Sequence, residues 1–217
     1  INFSSLTSYL AWLHSSAEML LREGLRLDPK NPGAYFDLGN AQIKLNELGP
    51  ALRSFEKASG LREDFWEAVN NQGIVLYEQG NTREAIARWR RAVDLSSGEA
   101  EPTLALAAAL YADGDTSADV VSLAVQALIK QPDYVLNSFQ KDQLWGPKLR
   151  EVTAANQKAQ AEAAERAEEV KNLKTRVTQL AQQGKKQLKL SCKPKHSGEQ
   201  APEHFYEKCG FIRAKTQ

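Results

Sequence analysis

The chain has 217 residues, 42% of them hydrophobic, and a formal net charge of +1. This length suffices for a buried core, and the mean hydropathy of -0.50 is typical of soluble chains. No apolar run reaches the roughly 20 residues of a membrane span, which excludes a transmembrane helix within this sequence.

The small net charge hides an asymmetry between two parts of the chain. Residues 1–145 hold 13 lysines and arginines against 19 acidic residues, and residues 146–217 hold 15 against 8. We expect the two parts to attract each other or to bind different partners. Cys192 and Cys209 both lie in the second part, so the first must be held by packing rather than by disulfides. The chain begins at Ile1 without an initiator Met, which leaves a removed targeting segment open.

A period of 34 residues organises the first part. Four pairs of residues recur at this spacing: Gly39 and Gly73, Ala51 and Ala85, Phe55 and Trp89, Ala58 and Ala92. Small residues allow paired helices to cross closely, and bulky residues fill the gaps between them. The pattern predicts helix-turn-helix hairpins and resembles the tetratricopeptide repeat (TPR) family. The predicted fold class is an all-α TPR-type solenoid in residues 1–146.

The first predicted unit, before Pro32, is degenerate or truncated. Ala17, Leu21 and Gly24 match second-helix positions, whereas Ser4 and Ser5 fit a first helix poorly. Three clear units follow.

Turn and start residues support these three units. Asn46 and Gly80 lie where a turn inside the hairpin favours positive φ, and the next helices are predicted to begin near Pro50 and Thr82. In the third unit the alanine and proline positions come one residue late, which indicates an insertion near residues 116–119.

A cap is predicted after the third unit, because a terminal repeat buries its apolar face only against neighbours. The sequence predicts one amphipathic helix built on Tyr134, Val135, Leu136, Phe139, Leu144 and Trp145.

A long charged helix is predicted for residues 147–184. Its heptad seam is apolar at Val170, Leu173, Val177 and Leu180, but Asn156 and Arg166 interrupt it. We therefore expect a solvated helix rather than a stable coiled coil, and a monomer or weak homo-oligomer. A structural oligomeriser built on residues 149–180 is one alternative function.

The last segment, residues 185–217, is predicted to be a basic and flexible tail. The lysines Lys185, Lys186, Lys189, Lys193 and Lys195 could contact an anionic membrane surface. No aromatic residues alternate with them to stack on bases, so we expect no nucleic-acid binding.

The tail also carries two motifs that bear on catalysis and metals. Residues 205–211, Phe-Tyr-Glu-Lys-Cys-Gly-Phe, resemble a late motif of GNAT acetyltransferases, but nothing upstream supplies that fold's pyrophosphate loop or sheet. Cys192, His196, His204 and Cys209 could surround zinc, but they lack a Cys-x-x-Cys knuckle. We expect no enzyme activity, no cofactor and no metal; an acetyltransferase fragment is the other alternative.

The resemblance to TPR proteins implies a binding groove along the concave side of the first helices. The residues it assigns are Phe36, Asn40, Ile43, Lys44, Asn70, Asn71, Ile74, Tyr77, Leu104, Ala108 and Tyr111. This lining is apolar and aromatic with amides near one end, which suits an amphipathic helix or an extended hydrophobic peptide. It implies a non-catalytic scaffold with a protein or peptide partner, an assembly or adaptor role, and no small-molecule substrate.

One known TPR activity is excluded by charge. Chaperone adaptors hold acidic C-terminal peptides with a clamp of Lys, Asn, Asn, Lys and Arg, whose cations pair the carboxylates. This sequence matches the amides with Asn40 and Asn71 but has Phe36, Glu101 and Ala105 in place of the cations. We expect no tight binding of such peptides.

The third repeat, the cap and Leu144-Trp145-Gly146 are similar to TPR proteins of cyanobacteria and chloroplasts. Some of those proteins assist thylakoid complexes, and the resemblance covers roughly residues 15 to 150. It implies a chloroplast location associated with thylakoids; a cytoplasmic location is the alternative.

Overall fold

The computed structural model describes residues 3–191, with side chains for residues 8–184. This part is helical. The chain as a whole divides into two units, residues 1–160 and 161–217. Within the described range no helix combines the length and apolar character that crossing a bilayer requires. The α-helices are α1 (Phe3–Leu27), α2 (Pro32–Lys44), α3 (Leu48–Leu61), α4 (Trp66–Glu78), α5 (Thr82–Ser96), α6 (Ala100–Ala112), α7 (Ala118–Lys130), α8 (Asn137–Asp142) and α9 (Pro147–Ser191), and a 3₁₀ helix (Pro132–Val135) precedes α8.

The predicted period sets the helix starts in the first unit. Helices α2, α4 and α6 begin at Pro32, Trp66 and Ala100, each 34 residues after the last. The side chain of Asn31 accepts a hydrogen bond from the Ala34 N–H and so caps α2, where proline at the first helical position loses no hydrogen bond. Local capping and the repeat period agree.

The turns inside the hairpins also match the prediction. Asn46 and Gly80 have φ values of 61° and 88°, and Gly114 has 97° at the equivalent place in the third hairpin. A left-handed residue here reverses the chain between paired helices.

Two glycines explain how closely the paired helices cross. A Cβ atom added to Gly39 would lie 2.6 Å from the Phe55 ring, and one added to Gly73 would lie 2.6 Å from the Trp89 ring. Phe55 and Trp89 are fully buried. Each aromatic ring therefore fills the space that its glycine leaves open, which is the physical basis of the repeat.

The third hairpin contains the predicted insertion. Helix α7 begins at Ala118, after a turn of residues 113–117 that is longer than the turns that precede α3 and α5. Its buried core positions Val120, Ala124 and Ala127 each come one residue later than the period requires. The extra residue is absorbed in the turn, so the core contacts are kept.

The repeat array in residues 1–160 begins with a single helix rather than a hairpin. Helix α1 packs on α2, but Ala17 and Leu21 are only half-buried and Gly24 is exposed. The equivalent positions on α3 are fully buried because α3 lies between α2 and α4. Within the described residues α1 contacts a neighbouring first helix on one side only.

The prediction of one continuous capping helix is wrong. Leu136 is extended, with φ −85° and ψ 121°, and separates the 3₁₀ helix from α8. The Tyr134 carbonyl instead accepts a hydrogen bond from Gln140 Nε2 at 2.6 Å. Leu144 has a φ of 65° beyond α8, and its neighbour Trp145 donates its N–H to the Gln140 carbonyl. Side-chain hydrogen bonding thus replaces a helical turn.

The second unit is described as the later part of α9, which continues past the predicted end at Gly184 to Ser191. Its seam residues Val170, Leu173, Val177 and Leu180 are between 48% and 65% exposed. The side chains of the basic cluster, the zinc candidates and the acetyltransferase-like motif all lie outside the described residues.

Candidate peptide-binding groove

The predicted groove residues lie at equivalent repeat positions on the three helices α2, α4 and α6. Their exposure to solvent differs between these helices. On α2, Phe36, Asn40 and Ile43 are half-buried and Lys44 is exposed. We call this α2 surface the open half of the groove. Phe36 and Ile43 pack against buried core residues on one side, and the rest of their surface is exposed.

The residues on α4 and α6 form the closed half. Asn70, Ile74 and Leu104 are each 1% exposed, and Ala108 is fully buried. Tyr77 and Asn71 are also buried, and Tyr111 is half-buried. Equivalent repeat positions therefore have different environments in the two halves.

A later part of the same chain covers the closed half. Trp145 and Leu149 are buried in one apolar cluster with Ile74, Tyr77 and Leu104, and Val152 packs against that cluster. We call residues 134–156 the plug. The predicted contact of the closed half with a partner stays a prediction, and it requires the plug to leave.

Glu78, at the C-terminal end of α4, holds the start of α9. Its carboxylate accepts hydrogen bonds from the backbone N–H groups of Leu149, at 3.0 Å, and of Lys148, at 3.3 Å. Lys148 Nζ also donates to the Glu78 carbonyl. The first N–H groups of a helix have no partner within it and lie at its positive end, so a carboxylate stabilises them.

Glu101, at the N-terminal end of α6, holds the indole of the plug. Trp145 Nε1 donates a hydrogen bond to Glu101 Oε1 at 3.0 Å. Burial raises the pKa of the Glu101 carboxyl, while hydrogen bonding from Trp145, Asn70 and Tyr134 opposes that rise. Burial and the charge of Glu101 also raise the pKa of Tyr134. These donors favour the charged carboxylate and offset part of the cost of its burial.

Gly146 allows the plug to approach Glu78. A Cβ atom at this position would lie 2.5 Å from Glu78 Oε1 and closer still to the side-chain carbons. No side chain fits there unless Glu78 moves. Along the plug, the Trp145 indole therefore contacts the Glu101 carboxylate, and Gly146 and the start of α9 then lie against the Glu78 carboxylate.

A row of amides joins the two halves. Asn71 Nδ2 donates to Asn40 Oδ1 at 3.0 Å, and Asn70 Nδ2 donates to Asn71 Oδ1 at 3.2 Å. Among the described residues nothing accepts a hydrogen bond from Asn40 Nδ2. The amides matched to the carboxylate clamp thus bond each other, and Glu101, which stands where the clamp has a lysine, is bound to the plug.

The sequence did not identify Tyr134, Trp145 and Gly146 as groove residues, and it did not identify Glu78 as the partner of the start of α9. The available signals were an acidic residue at the end of α4 and a Trp-Gly-Pro sequence that starts a helix, and neither specifies contact over such a distance in the chain. Within the described residues no three His, Cys, Asp or Glu side chains are placed to hold a metal ion.

No protein-family model and no curated protein matches this sequence. Solved structures do resemble it. MamA is 22% identical, over 57% of this chain and 71% of that chain, with a TM-score of 0.51. MamA 41-end from Desulfovibrio magneticus RS-1 is 17% identical, over 75% of this chain and 95% of that one, with a TM-score of 0.51. YrrB, described as a TPR protein with an unusual peptide-binding site, is 22% identical over 60% and 66%, with a TM-score of 0.50. These likenesses confirm the predicted all-α TPR fold.

Proposed function

We propose that this TPR-fold chain is a non-catalytic scaffold that binds a segment of a partner protein on the open half of its groove. The observation that carries this proposal is that Phe36, Asn40 and Ile43 on α2 keep exposed surface, whereas the equivalent residues Asn70, Ile74, Leu104 and Ala108 on α4 and α6 are buried. The structure of YrrB, whose description names a peptide-binding site, supports a peptide ligand for this fold.

The chemistry of the open half fits an extended or helical peptide. Phe36 and Ile43 offer apolar surface, and Lys44 adds a positive charge at the end of α2. Asn40 has its Oδ1 bonded to Asn71, which orients the amide and leaves Nδ2 to donate to a peptide carbonyl. Aromatic and apolar anchors beside one fixed polar group are typical of peptide recognition.

A pull-down with three forms of the chain tests this proposal. The native chain should retain its partner, and an Asn40→Ala, Lys44→Glu double variant should lose it, because both changes lie on the open half. Lys57→Glu is the matched control, since Lys57 is exposed on α3 away from the first helices. If the double variant recovers the same proteins as the control, the open half is not the binding site.

A second candidate function, self-association, rests on the exposed seam of the second unit. Val170, Leu173, Val177 and Leu180 form an apolar stripe at heptad spacing that nothing described in that unit covers. Light scattering should show a lower mass for a Leu173→Ser, Val177→Ser variant if this seam joins two copies. An unchanged mass rejects the seam as the contact.

The expected chloroplast location and assembly role are proposals that follow from the sequence resemblance. Fractionation of the source cells would test the location directly. The acetyltransferase alternative concerns residues outside the described part, and an acetyl-CoA binding assay on the whole chain would test it.

A further inference from the structure

The plug is held by hydrogen bonds to the Trp145 indole and to the first N–H groups of α9, and by one apolar face. A separate ligand would be bound in the same way. We propose that the plug is an exchangeable internal ligand, and that the closed half takes an amphipathic helix preceded by an aromatic N–H donor and a glycine. This inference rests on the proposed scaffold function and names a partner class for the other half of the same groove.

Glu78 caps the start of α9 although it belongs to another helix. Most helices are capped by a residue next to them in sequence, but α9 is preceded by Gly146, which has no side chain. Its free N–H groups bond Glu78, which is 70 and 71 residues away from Lys148 and Leu149 in sequence. The groove thus supplies a cap that any helix starting at this point could use.

Glu101 contacts the plug through a hydrogen bond. A carboxylate on an apolar groove wall is costly unless donors satisfy it, and here Trp145 on the plug provides an indole N–H at 3.0 Å. Apolar packing alone would not require an acid at this place. Glu101 therefore selects for a ligand with a hydrogen-bond donor on an aromatic ring.

Glu101 and Glu78 bind the plug at two points close together in its sequence. Trp145 reaches Glu101 while Leu149 bonds Glu78, and only glycine fits between them, at position 146. Leu149 then enters the apolar cluster with Ile74 and Leu104. A partner helix would have to present the same order: indole, glycine, free helix start and an apolar residue in the first turn.

Competition with the plug sets the affinity that a partner would show. A tethered ligand acts at a local concentration of roughly millimolar, and a partner's apparent affinity falls in proportion to the fraction of chains with the plug released. Changes in the plug that leave α4 and α6 intact should therefore strengthen partner binding.

The probe is a labelled peptide with the sequence of residues 143–160, titrated against the full chain by fluorescence anisotropy. We expect it to bind Gly146→Ala and Trp145→Phe chains at least about tenfold more tightly than the native chain, because each change weakens the plug alone. The same peptide with Trp145 replaced by Phe should bind each variant chain about tenfold more weakly. If both variants keep the native circular dichroism yet bind the peptide no better than the native chain, the plug is not exchangeable.

Hydrogen exchange on the native chain keeps the test decisive if the variants do not fold. The amides of Lys148 and Leu149 should exchange at least about tenfold faster than those of Ile74 and Val75, because the plug opens without unfolding α4. Equal protection would overturn the inference. The Asn40→Ala, Lys44→Glu pull-down concerns α2, so a chain that captures its partner but ignores the peptide refutes this inference and leaves the proposed function standing.

Discussion

The two halves of the groove have the same repeat positions but different neighbours. Asn40, Ile74 and Ala108 occupy one slot in α2, α4 and α6, yet only Asn40 keeps exposed surface. The plug bonds Glu78 on α4 and Glu101 on α6 and shares one apolar cluster with Ile74 and Ala108. A repeat position therefore tells which way a side chain points, and the rest of the chain decides whether a partner can reach it.

The largest expected effect is on the closed half, where Trp145→Ala removes a side chain that is 2% exposed. Loss of its packing should lower the free energy of unfolding by about 3–5 kcal/mol. Phe36→Ala in the open half should cost under about 2 kcal/mol, because that ring is already partly in water. Urea denaturation followed by circular dichroism measures both, and equal losses would contradict the division into two halves.

A smaller effect is expected from Gly146→Ala, which places a methyl group against Glu78. We expect a loss of about 1–3 kcal/mol from the forced shift. Gly60→Ala is the matched control, since Gly60 lies in α3 with open space around it. There alanine should stabilise the helix by up to about 1 kcal/mol. If Gly146→Ala and Gly60→Ala change the free energy of unfolding in the same direction and by the same amount, Gly146 is not confined by Glu78.

The pH dependence of stability should also identify the closed half. The pKa of Glu101 is raised in the folded chain, mainly by burial. The contribution of Glu101 to stability is therefore fully present when the pH is below the ordinary pKa of a glutamate. It is lost as the pH rises through the pKa of Glu101 in the folded chain. The native chain should gain stability relative to Glu101→Gln when the pH is lowered from neutral towards that value. Parallel pH profiles of the two chains would contradict the raised pKa.

The smallest effect concerns acidic C-terminal peptides of the clamp type. The native chain should show no binding in the low-micromolar range, since Phe36, Glu101 and Ala105 replace the cations. Asn71→Ala should change nothing in this titration. Low-micromolar binding that disappears with Asn71→Ala would mean that the amides of Asn40 and Asn71 hold a carboxylate without those cations.

The sequence was sufficient to predict the repeats because their signals are local. Gly39 and Phe55 lie close in the chain, and the positive φ of Asn46 and Gly80 follows from a turn a few residues long. The position of the open half comes from the same phase, and its role in binding stays a prediction. Period and turn chemistry thus gave the helix starts, the core and the direction of the groove.

The closed half could not be predicted in this way. Glu78 and Leu149 meet across 71 residues, and such a pair leaves no periodic mark in a single sequence. The capping segment was predicted as one helix because its apolar spacing is helical, whereas Gln140 bonds the Tyr134 carbonyl and breaks it. A hydrogen bond across 71 residues decided the first point and one across 6 residues decided the second, both against the local apolar pattern.

The plug covers one half of the groove and leaves the other accessible, and thiol labelling tests this difference most directly. Single cysteines at residues 40 and 74, introduced as Asn40→Cys and Ile74→Cys after Cys192 and Cys209 are changed to Ser, probe the same slot in each half. We expect a maleimide to label position 40 at least about tenfold faster than position 74, and Trp145→Ala to remove most of that difference. Equal labelling rates in the chain with an intact plug would contradict the account.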